Sequence, residues 1–199
     1  MFNNQTLKNL EHLKPFAGKG PHVCLEIGVG DGEMACWLLD NVLTCMDDLY
    51  VGIDPWDGKD GPEKEDKARR AMGRYSGKGI LFKGEPKGPG WANLEDHPRV
   101  SRGVGFGSGT DFDGERWRFL FTIAVFSRCP PMSSLRVLQC AVWDRMPVGG
   151  VILWDNYRTT KRKKHLECCG TVGEFLARKE GKYKILCQNT HLIIKKTAE

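Results

Sequence analysis

Apolar positions recur at three-residue steps along the first sixteen residues. Leu7, Leu10, Leu13 and Phe16 stand on a polar background, the stripe of an amphipathic helix. PFAGKGPH ends it. Residues 22–27 form a short apolar run that carries Val and Ile and closes on glycines, which predicts a buried strand. Over residues 31–43, good helix formers put Met34, Trp37, Leu38 and Val42 on one side. Residues 49–53 predict a second strand, cut off by Asp54-Pro55. Mixed charges over 63–74 predict an exposed helix, and residues 79–83 a third strand. Helices and strands alternate, and the strands are continuous apolar runs, as in a parallel sheet covered on both faces.

After residue 85 this rhythm stops. Seven glycines lie between Gly88 and Gly114, aliphatic residues are few, and neither helical nor strand period is present. Residues 86–118 read as an irregular loop, long for a compact domain. Regular structure resumes with a strand over 119–126 (FLFTIAVF), a helix over 133–145, a Pro-Val-Gly-Gly turn and a strand over 151–154. A helix over 172–179 and two strands, 183–186 and 191–195, complete the chain, with CQNT joining the strands as a hairpin. The pattern predicts one α/β domain over residues 1–199.

Composition narrows the class. With 199 residues, 40% of them hydrophobic, and six tryptophans, the chain can fill a core, which excludes global disorder. No apolar run nears the roughly 18–20 residues of a membrane span. The polar N-terminus lacks the apolar centre of a signal peptide, so a cytoplasmic protein with no membrane partner is expected. Eight cysteines are scattered without a CxxC pair, several in apolar runs where they act as small hydrophobes, which argues against zinc. Adjacent Cys168 and Cys169 are poorly placed to bridge each other. The net charge of +5 is modest and concentrates in RTTKRKKH at 158–165, either a solvated loop or a contact for an anionic substrate or nucleic acid.

The chemistry concentrates where the first strand ends. In LEIGVGDG, a strand runs into glycines at 28, 30 and 32 and then into a helix. Glycines let the backbone turn sharply and let a ligand lie against it, and a helix N-terminus offers unpaired N–H groups. Spacing then separates two ligands. A dinucleotide loop follows GxGxxG and seats pyrophosphate on the helix, whereas here Glu33 follows Gly32 and Glu26 precedes the first glycine. A carboxylate at 26 repels pyrophosphate and suits a cationic ligand such as the methionine end of S-adenosylmethionine. In VGIDPW, Asp54 ends the second strand, where ligands bind in open α/β sheets, and can accept both hydroxyls of a ribose. The same acid occurs in NAD enzymes, and an aspartate there can also simply cap a turn.

LEIGVGDG followed by VGIDPW resembles the first two motifs of class I S-adenosylmethionine-dependent methyltransferases. The likeness is nearest to small bacterial members whose fifth strand ends in an acidic pair before a tyrosine, here ILWDNY at 152–157 after the Val148-Gly149-Gly150 turn. The resemblance covers residues 1–84 and 141–199. It implies a Rossmann-like, doubly wound, mostly parallel seven-stranded sheet of order 3-2-1-4-5-7-6 with an antiparallel C-terminal strand. It also implies S-adenosylmethionine as cofactor, with Glu26, Gly28, Gly30 and Gly32 lining its methionine and ribose. Asp54 would hold the ribose, Trp56 would flank the adenine, and Gly84 and Glu85 would lie near that ring. Asp155 and Asn156 resemble the Asp-Asn pair that metal-dependent O-methyltransferases use for magnesium, and would be the catalytic and metal-holding residues.

The chain departs from that family at the fourth strand, whose pattern there is like FDxxxIDGSH. Leu120 and Val125 stand at its two acidic positions and Arg128 at its histidine. Magnesium binding is therefore expected to be weak or absent, and Val125→Asp to strengthen it. O-methylation of a small molecule is the leading function. Three alternatives stand beside it: a cofactor-binding protein that has lost catalysis, a nucleic-acid methyltransferase drawing on the basic run, and an NAD(P) oxidoreductase. The family's features vanish together over residues 86–140, with abrupt edges. That block is either a substrate-binding insertion or a local reading-frame shift that later reverts.

Overall fold

Asn3 opens helix α1 (Asn4–Leu10) by accepting the Thr6 N–H on its side-chain oxygen at 2.8 Å. A 3-10 turn over Glu11–Phe16 then delivers the chain to β1 (Val23–Ile27). There follow α2 (Glu33–Asn41), β2 (Leu49–Asp54), α3 (Gly61–Met72), β3 (Gly79–Lys83), β4 (Ile123–Phe126) and α4 (Met132–Asp144). Strand β5 (Val151–Trp154), helix α5 (Lys163–Arg178) and the hairpin β6 (Tyr183–Gln188) and β7 (Leu192–Lys196) complete the order. The structure, a computed structural model, describes residues 2–75, 77–85, 121–127, 132–155, 157 and 163–199.

Among the described residues seven strands form one sheet in the order β3-β2-β1-β4-β5-β7-β6, the order that the resemblance implies. The first five pair in parallel. Strand β7 runs antiparallel between β5 and β6. The strand order reverses between β1 and β4, which leaves a crevice at the carboxyl ends of these strands.

Alternate residues along each strand feed two apolar layers. Leu25, Ile53, Phe126 and Trp154 pack with Leu135 and Leu138 of α4 and Phe175 of α5. Cys24, Tyr50, Val125, Leu153 and Ile193 pack with Leu10 of α1, Leu13, and Leu38 of α2. The Trp154 ring stacks on Phe126 at 5.8 Å and leans on Phe175 at 5.9 Å, tying two central strands to α5. One cation lies inside this frame. Lys196 is 2% exposed, and its ammonium donates to the Met146 carbonyl at 2.7 Å, to that of Trp143 at 3.3 Å and to Glu199 at 2.8 Å. Those bonds satisfy a charge that burial would otherwise penalise heavily.

Several boundaries differ from the sequence reading. Strand β4 begins at Ile123, and Leu120 lies outside the described residues. Helix α5 starts at Lys163, so it takes in the end of the basic run, where no apolar stripe announces a helix. Strand β6 continues through a bulge at Ile185/Cys187 to Gln188, leaving a shorter link before β7. Cys168 is disulfide-bonded, a bond the sequence reading did not predict. The two accounts of residues 86–140 turn mostly on stretches outside the described residues; within the window, β4 fills the fourth-strand position with four buried side chains.

Candidate functional site

Strand β1 ends on a loop bent by three glycines. Gly28, Gly30 and Gly32 have φ of 89°, 63° and 87°, the left-handed region that side chains rarely adopt. Gly32 is also tight against α3, since a Cβ there would lie 3.1 Å from the Ala68 Cα. The loop is clamped from β2. Asp54, 3% exposed, accepts the Gly30 N–H at 2.9 Å on one oxygen and the Trp56 N–H at 2.7 Å on the other. Trp56 closes the clamp by donating its indole N–H to the Gly30 carbonyl at 2.7 Å. It does so with a φ of 44°, a strained value for a residue with a side chain, held by those two bonds.

Asp54 therefore has the turn-capping role weighed above, and a carboxylate still has two more lone-pair sites for an incoming donor. A cleft of about 190 Å³ opens beside it, lined by Asp54, Trp56, Asp57, Lys59 and Lys64 among others. The Trp56 ring is 4% exposed, packed with Val29 and Ala68 and overlain by the Arg69 guanidinium at 5.7 Å. Gly84 joins the site through its N–H, which donates to the Asp54 carbonyl at 3.1 Å, while Glu85 next to it is exposed.

Glu26 is completely buried at the centre of the sheet. Tyr50 donates to its Oε2 at 2.6 Å, and Ser127 donates to its Oε1. Gly52 makes the first bond possible, because a Cβ there would lie 2.8 Å from the Tyr50 hydroxyl oxygen. Burial pushes the Glu26 carboxyl up to about 7, the two donors oppose this, and neighbouring Asp54 and Asp155 push it further up. Glu26 thus feels two other carboxylates, across the carboxyl ends of β1, β2 and β5. That arrangement favours a cation over a phosphate.

Asp155 follows β5, with its N–H donating to the Phe126 carbonyl at 3.0 Å. Its Oδ1 stands 2.9 Å from Nε2 of His191. Asn156 and Arg128 lie outside the described residues. Val125 is 1% exposed, paired in register with Glu26 and Leu153 within the apolar layer. A magnesium ion does not fit these residues. Val125 has no donor atom, Asp155 already faces an imidazole, and among the described residues no group of three or more His, Cys, Asp or Glu side chains could hold a metal.

Sequence reasoning singled out Glu26, Asp54 and Asp155, which the fold brings to neighbouring strand ends, but not Tyr50, Ser127 and His191 beside them. Ser127 had a signal, since it keeps the serine of the FDxxxIDGSH pattern, whose two acids and histidine the chain lacks. Tyr50 and His191 had none, because only the fold brings them to their carboxylates.

Comparison of the sequence with protein-family models and with curated proteins gives no match. Solved structures do match. The O-methyltransferase TomG from Streptomyces achromogenes, in complex with S-adenosylmethionine, aligns over 100% of this chain and 82% of its own at 13% identity and a TM-score of 0.64. A proposed rRNA methylase from Clostridium thermocellum aligns over 100% of this chain and 99% of its own, at 13% identity and a TM-score of 0.66. An O-methyltransferase from Bacillus cereus, in complex with S-adenosylhomocysteine, covers 98% of this chain and 83% of its own at 14% identity and a TM-score of 0.62. With strands in the order 3-2-1-4-5-7-6, an antiparallel β7 and these neighbours, the chain has the fold of the class I S-adenosylmethionine-dependent methyltransferases.

Proposed function

We propose that this chain is an S-adenosylmethionine-dependent methyltransferase acting on a hydroxyl group of a small molecule. The convergence of Glu26, Asp54 and Asp155 on the glycine loop carries the reading. A loop that offers backbone N–H groups amid carboxylates suits a ligand with a cationic end and a ribose, and disfavours pyrophosphate. The neighbours described as O-methyltransferases, two of them holding S-adenosylmethionine or its product, support the same reaction.

When bound, S-adenosylmethionine supplies a methyl carbon made electrophilic by its sulfonium. The chain has two tasks: to hold that carbon in line with the acceptor oxygen, and to receive the acceptor's proton. Glu26 attracts the ammonium end and Asp54 accepts from the ribose, so the two fix the ligand along β1 and β2. In this reading Asp155, across the crevice on β5, takes the proton. No step needs magnesium.

A nucleic-acid acceptor is the second reading, favoured by the rRNA methylase likeness and by the basic run at 158–165. Calorimetric titration separates the main alternatives. S-Adenosylhomocysteine should bind and NADH should not. A chain that binds NADH and ignores S-adenosylhomocysteine overturns the proposal.

A further inference from the structure

Glu26 is the carboxylate best placed to attract a cation, yet the residue has no exposed surface. Each of its oxygens is covered by a hydroxyl, Oε2 by Tyr50 and Oε1 by Ser127. The two hydroxyls differ in where they stand. Tyr50 is fully buried, in the apolar layer with Leu10 and Leu38. Ser127 is only half-buried and is the first residue beyond β4. Backbone pairing fixes it there. The Ser127 N–H donates to the Ile27 carbonyl at 3.0 Å, and on the other side of β4 the Asp155 N–H donates to the Phe126 carbonyl at 3.0 Å. Ser127 therefore stands between the glycine loop that follows β1 and the Asp155 that follows β5, where the strand order reverses and ligands of open α/β sheets bind.

A serine hydroxyl has one proton and two lone pairs. The Ser127 proton goes to Glu26, so only lone pairs remain for a ligand in the crevice, and among the described residues no group donates to Ser127 Oγ. A hydroxyl that donates to a carboxylate is polarised by it and accepts more strongly in turn. Direct contact with Glu26 would require a ligand to displace one of its two donors, which leaves a hydroxyl unpaired at that end of the sheet.

We infer that Ser127 is the residue that touches the ammonium group of S-adenosylmethionine, its Oγ accepting one ammonium N–H and passing on the pull of the buried Glu26 carboxylate behind it. The role rests on the methyltransferase reading. A hydroxyl held this way accepts and cannot donate. It therefore selects the ammonium at the methionine end of the ligand and offers nothing to the carboxylate beside that ammonium. Glu26 attracts the cation without leaving the sheet, and Tyr50 keeps its partner while it does so.

Calorimetry on the full chain with two probes tests this: S-adenosylhomocysteine, which carries the ammonium, and 5′-methylthioadenosine, the same nucleoside thioether without the amino acid. Wild type should bind S-adenosylhomocysteine the more tightly. Ser127→Ala should raise the Kd for S-adenosylhomocysteine about 10-fold or more, the scale of a hydrogen bond to a charged group, and that for 5′-methylthioadenosine less than about 2-fold. Ser127→Cys, close in shape but a far weaker acceptor, should show the same selective loss and replaces the alanine variant if that chain does not fold. Made in Glu26→Gln, where no charge is left to pass on, Ser127→Ala should cost S-adenosylhomocysteine less than about 3-fold, because members of one network do not add. Equal weakening of both probes overturns the role, as does S-adenosylhomocysteine binding that Ser127→Ala leaves unchanged, or full additivity with Glu26→Gln. A wild-type chain that binds the two probes equally also overturns it, and leaves the nucleoside part of the cofactor reading intact. A chain that binds neither removes the reading itself, and the role with it.

Discussion

At neutral pH Glu26 stands near the midpoint between its charge states, because its surroundings raise its carboxyl to about 7. Two pH dependences of opposite sign follow. A ligand ammonium group binds the ionised form, so the Kd for S-adenosylhomocysteine should fall as pH rises from 6 to 8, and Glu26→Gln should flatten that profile in calorimetry. Folding runs the other way. Between about 4.5 and 7 the unfolded chain has released this proton while the folded chain keeps it, so stability falls with rising pH by about 3 kcal/mol across that window. Urea unfolding at a series of pH values should show that slope in the wild type and not in Glu26→Gln. In the proposed site Asp54 would combine two duties, so Asp54→Ala should weaken S-adenosylhomocysteine binding by about 1–3 kcal/mol and also lower the melting temperature, because the Gly30 and Trp56 N–H groups lose their acceptor. Both carboxylates were legible in the sequence because each lies within a few residues of its motif. Tyr50 and Ser127 were not, for their contacts with Glu26 span 24 and 101 positions and depend on strand register.

The strands were the most legible elements. Strands β3 and β5 lie where the apolar runs put them; β5 is buried on both faces, and such a strand writes its limits in hydrophobicity alone. Helix α5 was the least legible, because its first turns fall in a basic stretch and only its later part shows Val172, Phe175 and Leu176 at helical spacing. Strand β2 shows what such patterns omit. The sequence gives no reason why position 52 should be glycine, yet a Cβ there would lie 2.7 Å from Val29 and 2.8 Å from Leu81, besides meeting Tyr50. Gly52→Ala should therefore cost about 1–3 kcal/mol by overpacking. Thermal unfolding measures that loss. If alanine is neutral there, Tyr50 does not reach over Gly52 to Glu26 as described.

At the scale of the whole molecule, the strand order was implied by a family likeness and then observed, while the fate of the lost acidic positions had to wait for the packing. Val125 shows why. The sequence reading expects Val125→Asp to restore magnesium binding, but the side chain belongs to a closed apolar layer and sits in register beside buried Glu26. A second carboxylate there lacks water and a counter-charge, so the substitution should destabilise the fold by about 3 kcal/mol or more, with no gain in magnesium affinity by calorimetry. Sheet order also bears on how the chain is made. Strand β6 leaves the ribosome before β7, yet β7 is the neighbour that joins it to β5. During synthesis β6 therefore has nothing to pair with, and β5 presents an open edge until Leu192–Lys196 emerges and slots between them. A nascent chain halted before Leu192 is thus a sticky, unfinished sheet, and this domain's exposure to chaperones and to aggregation lasts until β7 is in place.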